Sequence, residues 1–432
     1  MNAHGAGPFG FKRLKHVVSL RRSRMDGSGN GRPYIGLEHI ESWTGRLVGG
    51  TQAVDDSPSS PDTEGEALTS TFEPGDVLFG KLRPYLAKAW VAGFPGRCTT
   101  ELLVMEPVEV EARFLRYVCL WREFIDAVGA STFGSKMPRA DWDFIGNMPI
   151  PVPEHSRQIA IADYLDRETA RLDALAAAKE RLLGLLAEKR RAIITRAVTR
   201  GLDARAALRD SCVPWLGEIP AHWETCRVAW LFRERDERGE PDLPLLEVSI
   251  NAGVVLREFS EERIESTAAD FNSYKIARRG DIVFNKMRMW QGAVGVAPED
   301  GLVSPDYVIA APTGSLLSEY AGLLFRTSTF SAECARRSHG IVWDRLRLYW
   351  EGFRDIEVPV PSPQEQEGIV AHIASETAKL DALSAVTDHA IALLKESRAA
   401  VIAAAVTGGM DFSNTVCGNG IQQAKGIMRE WD

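Results

Sequence analysis

The chain has 432 residues, 45% of them hydrophobic and 25% charged, with a formal net charge of −8. That length exceeds what one core usually organises, and the balance is that of a globular chain, so two or more folded domains are expected. The acidic sum argues against a generally basic nucleic-acid binder, which puts the weight on local patches.

The N-terminus lacks the apolar stretch of a secretory leader. No run approaches the roughly 18–20 apolar residues that span a bilayer. Six dispersed cysteines, without a C-x-x-C pair, indicate neither a zinc site nor a disulfide framework. The expectation is a cytoplasmic chain with reduced cysteines and no membrane contact.

Residues 1–149 read as short strands broken by Gly, Pro, Asp and Asn, in stretches such as "RPYIGLEHI", "DVLFGKL" and "AWVAGF". Residues 51–70 are acidic and rich in Ser and Pro, and read as a surface loop. "GDVLFGKLR" (75–83) reads as a Gly-Asp turn entering a buried strand. Lys81 and Arg83 come next, at i and i+2. On a strand that spacing places both cations on one face, about 6.6 Å apart. A helical piece is expected within 111–129, followed by the basic patch "GSKMPR" with Lys136 and Arg139. A further patch is "SLRRSR" at 19–24.

Residues 150–203 run from "IPVPEHSRQIAIADYLDRETARLDAL" to "AVTRGLD". The P-x-P element imposes an extended lead-in, because proline lacks an amide donor and restricts its predecessor. The stretch after it is free of proline and rich in Ala, Leu, Glu, Lys and Arg, which favour helix. Ile161, Leu165, Leu172, Leu175, Leu182, Leu186, Ile193 and Ala197 recur at steps of three, four and seven. Such a period predicts a coiled-coil seam on a helix of about 40 residues, ended by Gly201.

Residues 204–357 repeat the strand-like character, with "PLLEVSI", "DYVIAA" and a helical piece within 315–337. "GDIVFNKMR" (280–288) restates the earlier phrase and gives Lys286 and Arg288. Arg336, Arg337 and Arg345 form the basic patch "RRSHGIVWDR" ahead of a second P-x-P. Residues 358–411, "VPVPSPQEQEGIVAHIASETAKLDAL" to "AVTGGMD", align without a gap to 150–203, with about two dozen identities in 54 positions. Internal duplication is the strongest signal in the chain. The second seam holds Ile369, Ile373, Leu380, Leu383, Ala390, Leu394, Val401 and Ala405, with Gly409 as the expected helix end.

One such helix alone is an ordinary homodimer zipper. Two in one chain, each after its own globular segment, favour antiparallel pairing within the molecule. A solvated edge guarded by lysine explains one Lys-x-Arg pair; its recurrence in both halves favours a face that meets phosphate. Gly allows close backbone approach, and Lys, Arg, Ser and His supply donors to phosphates or base edges. No phosphate-binding loop, H-E-x-x-H or metal-ligand spacing among the eight histidines appears. The residues read as a binding chain without its own catalysis, cofactor or metal.

"PYIGLEHIESWTG" (33–45), "VPWLGEIPAHWETCRVAWLF" (213–232), the two Gly-Asp phrases and "PVPSPQEQEGIVAHI" (359–373), taken in their order along the chain, resemble the specificity (S) subunit of type I restriction–modification systems. Arg157-Gln158 stands where the family usually has Glu-Gln, as at Glu365-Gln366, and the first half lacks the Pro-x-x-Trp opening of Pro220–Trp223.

The resemblance implies an α+β fold in which two pseudo-symmetric target recognition domains are separated by two long helices forming an antiparallel coiled coil. The expected boundaries are domain 1 at 1–153, spacer helix 1 at 154–204, domain 2 at 205–361, spacer helix 2 at 362–411 and a tail at 412–432. Each domain would read half of a bipartite double-stranded DNA target. The paired helices would dock two methyltransferase subunits, with restriction/translocase subunits beyond them. S-adenosylmethionine, ATP and magnesium are expected on those partners. The other readings are a coiled-coil adaptor that spaces two protein-binding domains, and a standalone enzyme with an unrecognised site.

Overall fold

The computed structural model describes residues 9–25, 32–48, 68–134, 136–257, 271–340 and 346–412. Most of the loop expected at 51–70, Arg345 and the tail beyond Phe412 lie outside these residues. The chain divides into two compact units: residues 1–179 with 389–432, and residues 180–388. The division cuts both long helices, so each unit holds one globular segment and part of each helix.

In the first unit, strands β1 (Val18–Leu20), β2 (Val77–Gly80), β3 (Ala89–Val91) and β4 (Leu102–Pro107) form an antiparallel sheet in the order β1-β4-β2-β3. Helices α1 (Ala112–Leu120) and α2 (Arg122–Ala130) fill the stretch expected to be helical and overrun its end by one residue. Phe79, Phe114, Leu115, Phe124 and Ile125 share one core with Ile161 and Leu165 of the first long helix, α3 (His155–Arg200), and with Ile402 and Ala405.

The second unit repeats the plan. Strands β5 (Phe232–Arg235), β6 (Ile282–Asn285), β7 (Val294–Val296) and β8 (Tyr307–Pro312) pair in the order β5-β8-β6-β7. Helices α4 (Ser318–Phe325) and α5 (Ser328–Arg337) come after the sheet. Phe284, Phe325, Phe330 and Phe353 pack with Ala197 and Val198 of α3 and with Ile369 and Ile373 of the second long helix, α6 (Pro363–Thr407).

Each P-x-P element continues from a β-strand that ends within it, at Pro151 and at Val360. Phe11–Arg13 pairs antiparallel with Pro149–Pro151, and Glu224–Arg227 with Glu357–Val360. The start of the long helix after each strand is then fixed by a glutamine. Gln158 receives the Glu111 amide at 2.6 Å and donates to the Pro153 carbonyl at 2.8 Å. Gln366 repeats this with the Leu317 amide at 2.7 Å and the Pro361 carbonyl at 2.9 Å.

The residues before the two glutamines differ because their partners differ. Trp223 Nε1 donates to Glu365 at 3.1 Å, whereas the Arg157 guanidinium lies 4.9 Å from the centre of the Phe9 ring. A Trp–Glu hydrogen bond in one half corresponds to a Phe–Arg cation–π contact in the other.

Burial would raise the Glu365 carboxyl, but hydrogen bonds from His222, Trp223 and Ser362 prevail and hold it down at about 2, against an ordinary 4.5. A depressed carboxylate stabilises the fold fully above its unfolded value and loses that contribution as pH falls through the folded one. Glu365→Gln is therefore expected to melt below wild type at neutral pH, with the gap closing between pH 4.5 and 2. A gap independent of pH in thermal melts would count against this.

The long helices exceed the expected 40 residues, at 46 and 45. Gly201, with φ of 71°, ends α3 as expected; α6 is ended by Gly408, with φ of 83°, one residue before the expected Gly409. The seam needs a larger correction. Leu165, Leu172 and Leu186 are buried on α3, as are Ile373 and Leu380 on α6, and Leu394 is half-buried. Leu175 and Leu383, however, are 43% and 46% exposed. The least exposed positions on α3 pass through Thr169, Leu172 and Ala176, and on α6 through Thr377, Leu380 and Ser384. Thr169 and Thr377 satisfy their hydroxyls on the Leu165 and Ile373 carbonyls, so a polar residue sits in the stripe without an orphan donor.

Candidate nucleic-acid interface

The repeated Gly-Asp phrase has a structural half and an exposed half. Gly75 and Gly280 adopt φ of 90° and 89°, which a side chain would oppose. Asp76 and Asp281 are 2% and 1% exposed. Asp76 accepts from the Glu73 amide and from Arg21 Nε, both at 2.8 Å. Asp281 accepts from the Arg278 amide at 2.9 Å and from Arg235 Nε at 2.8 Å. The aspartate thus closes the turn and anchors an arginine at the end of the first strand of each sheet: Arg235 is the last residue of β5, and Arg21 directly follows β1. That pairing was invisible in the motif, because the arginines lie 55 and 46 residues away.

Lys81, Arg83, Lys286 and Arg288 do not lie on a strand, which corrects the expected spacing. β2 ends at Gly80 and β6 at Asn285, and the cations occupy the turns directly after them. Arg83 is left-handed, with φ of 49°, at the start of a 3-10 turn, Pro84–Leu86.

In the first unit this turn meets the segment carrying Lys136 and Arg139. The Arg83 amide donates to the Pro138 carbonyl at 2.8 Å, and the Ala140 amide to the Lys81 carbonyl at 2.9 Å. The structure therefore assembles Lys81, Arg83, Lys136 and Arg139 in one loop cluster. Arg139 is held by Glu101 at 3.1 Å, while Arg83 and Lys136 are exposed. Lys81 also lines a groove with Arg22 and Arg24 of the "SLRRSR" patch. Phe133, Tyr85 and Met137 stand exposed among these cations.

The second unit has the same arrangement with a different roster. The Leu348 amide donates to the Lys286 carbonyl at 2.9 Å, as Ala140 does to Lys81. The position corresponding to Arg139 is Arg347: Phe133 bridges Arg139 as His339 bridges Arg347. Sequence reading passed over Arg347, although the offset of 208 residues in the duplication points to it. Lys286 Nζ lies 6.0 Å from the Tyr349 ring centre, and Arg347 lies 3.9 Å from Met287 Sδ. Arg288, Met287 and Tyr349 are exposed. Arg336 and Arg337 are engaged elsewhere, both pairing with buried Glu333 at 2.7 and 2.6 Å. Their hydrogen bonds hold that carboxyl below its ordinary range, with Arg336 contributing most.

Each cluster offers cations in a turn, half-free of carboxylate partners, beside exposed aromatic and methionine side chains. Such turns can reach phosphates with charge and bases with flat apolar surface. Among the described residues no group of three or more His, Cys, Asp or Glu is placed to hold a metal ion, and no helix is long and apolar enough to cross a membrane.

No family model matches the chain. It is similar to the Type I restriction enzyme EcoDI specificity subunit of Escherichia coli, at 24% identity over 165 residues, 38% of this chain. The match spans 35% of that relative's length. Its fold is similar to a chain in a structure described as the basis of complex assembly and conformational transition of the type I R-M system. That likeness has a TM-score of 0.70 at 17% identity, over 95% of this chain and 100% of that one. The HsdS subunit from Thermoanaerobacter tengcongensis is similar at a TM-score of 0.51 and 18% identity, over 94% and 98% of the two chains.

Proposed function

We propose that this chain, similar in sequence and fold to type I restriction–modification specificity subunits, is the DNA sequence-recognition subunit of such a complex. The observation that carries the reading is the repetition itself: two units with the same strand order, each presenting a basic turn after the second strand of its sheet. Two copies of one reading surface suit a bipartite target, with one half-site per unit, as dimeric DNA readers use two copies of one module. Residues 1–153 and 205–361 are the recognition domains in this proposal. Lys81, Arg83 and Lys136 in one, and Lys286, Arg288 and Arg347 in the other, are its contacts to DNA.

The long helices are proposed to pair antiparallel as a coiled coil, set the distance between half-sites and dock two methyltransferase subunits. Two ion pairs support the pairing. Arg398 Nε contacts Asp173 at 3.0 Å in one unit, and Arg190 contacts Asp381 in the other. Asp173 and Asp381 are the same position of the repeat, and so are Arg190 and Arg398. Each repeat therefore gives its aspartate to the other's arginine. The chain contributes recognition; methyl donor, ATP and magnesium belong to the methyltransferase and restriction subunits.

The test is a gel-shift of the chain co-expressed with its methyltransferase subunit across salt concentrations. Phosphate contacts displace counterions, so log K is expected to fall by about 0.9 per contact for each tenfold rise in salt. Lys286→Glu with Arg288→Glu is expected to weaken binding and flatten that slope. DNA affinity unchanged by both reversals would instead favour the adaptor reading.

A further inference from the structure

The duplication makes the two units comparable position by position, and the equivalent arginines Arg398 and Arg190 have different surroundings. In the first unit Arg398 is 11% exposed; besides Asp173 it donates to the Trp43 carbonyl at 2.8 Å, closing the long helix onto the 40–46 loop. Its counterpart Arg190 is 43% exposed, and its partner Asp381 is 58% exposed. The corresponding loop carbonyls, of Ile250 and Asn251, are taken instead by Arg326, from the junction of α4 and α5.

This leaves an open groove of about 910 Å³ in the second unit. Three arginines line it, Arg190, Arg191 and Arg326, and among the described residues no Asp or Glu does. Thr195, Ser328 and Ser331 add hydroxyls along its wall. Among the described residues, no carboxylate forms an ion pair with Arg191 or Arg326. The Arg326 guanidinium, although it reaches solvent, is pushed below the ordinary arginine value, by partial burial first and by the Arg190 charge second. Of the three, Arg190 alone has a counter-charge, Asp381; like charges converging with so little compensation are costly, and an oxyanion that accepts from several guanidinium N–H groups relieves that cost.

We propose that this groove is a phosphate-binding site of the second unit, its three arginines taking the oxyanion of a phosphate ester or diester. The phosphate comes from a DNA backbone or from a free phosphate compound. The DNA source rests on the function proposed above; the free-phosphate source does not. Trp290 and Gln291 of the groove come directly after the Lys286–Arg288 turn, so a DNA strand on that turn has a short path to it.

The experiment uses the full chain and three variants. Arg191→Glu removes an exposed groove cation, Arg326→Gln removes the partly buried one, and Arg205→Glu is an exposed control outside the groove. The first measurement is the rise in melting temperature with pyrophosphate against sodium chloride at matched ionic strength. The second is the salt slope of duplex DNA binding. Wild type and Arg205→Glu are expected to be stabilised by pyrophosphate, and Arg191→Glu to lose that rise. If DNA supplies the phosphate, Arg191→Glu also lowers the salt slope by about 0.9, one contact, while Arg205→Glu leaves it in place. A lost pyrophosphate rise with an unchanged DNA slope assigns the site to a free phosphate. Because Arg326→Gln also frees a loop, Arg191→Glu decides. Equal behaviour of wild type and Arg191→Glu in both measurements overturns the proposal. A chain that binds no DNA at all sinks the recognition function, and the pyrophosphate arm still decides the groove.

Discussion

Asp281→Ala is expected to destabilise the second unit by about 3 kcal/mol, the low end for removing one partner of a buried ion pair. Asp281 is 1% exposed, and its loss strands two donors at once, the Arg235 guanidinium and the Arg278 amide. The low end applies because Arg235 keeps a second partner, Glu237, at 2.5 Å. Asp76→Ala should do the same to the first unit, where Arg21 keeps Glu106 at 3.4 Å. In urea unfolding followed by circular dichroism, each substitution is expected to move one part of the transition and leave the rest, since the two sheets lie in separate units. Asn in place of Asp retains an acceptor and should recover part of the loss. An Asp281→Ala chain that unfolds within about 0.5 kcal/mol of wild type would show that the repeated phrase is kept for some other reason.

The second large effect concerns the helices. Removing residues 176–182 and 384–390 deletes one heptad from each, at equivalent positions of the repeat. Seven residues at 1.5 Å shorten a helix by about 10.5 Å. At 3.4 Å per base pair that is about three base pairs of duplex. Deleting a whole heptad keeps the stripe in phase, so Leu172 and Leu186 still face one side. The expected result is a target whose half-sites keep their sequences while the gap between them contracts by about three base pairs. A deletion from one helix only takes its ion-pair partners out of step: Asp173 no longer meets Arg398 while Arg190 meets Asp381. Loss of soluble complex is expected there.

Much of the fold was legible because the chain states its plan twice. The offset of 208 residues delimits both long helices, and the strand-like segments before them fold as sheets of one order. The stripe was less legible. Leucines at 172 and 175 with alanine at 176 satisfy two helical phases, and the phase is chosen by what packs opposite. The smaller Ala176 and the self-satisfied Thr169 took the stripe, leaving Leu175 outside. The basic pairs misled for a related reason. A Lys-x-Arg spacing reads as one strand face only while the strand lasts, and both strands stop one residue short of the lysine. The arginines that matter to the fold, Arg21, Arg235 and Arg398, were unreadable because their carboxylates are remote in sequence. Arg347 was readable in principle, through the repeat.

The most direct test of the two-headed reading is a map of methylated adenines in DNA modified by the complex. With the intact chain the expected map holds one motif in two short parts, separated by a fixed number of unread bases. Exchange of residues 205–361 for those of a relative should change one part alone. Methylation at a single uninterrupted motif, or a motif indifferent to that exchange, would contradict it.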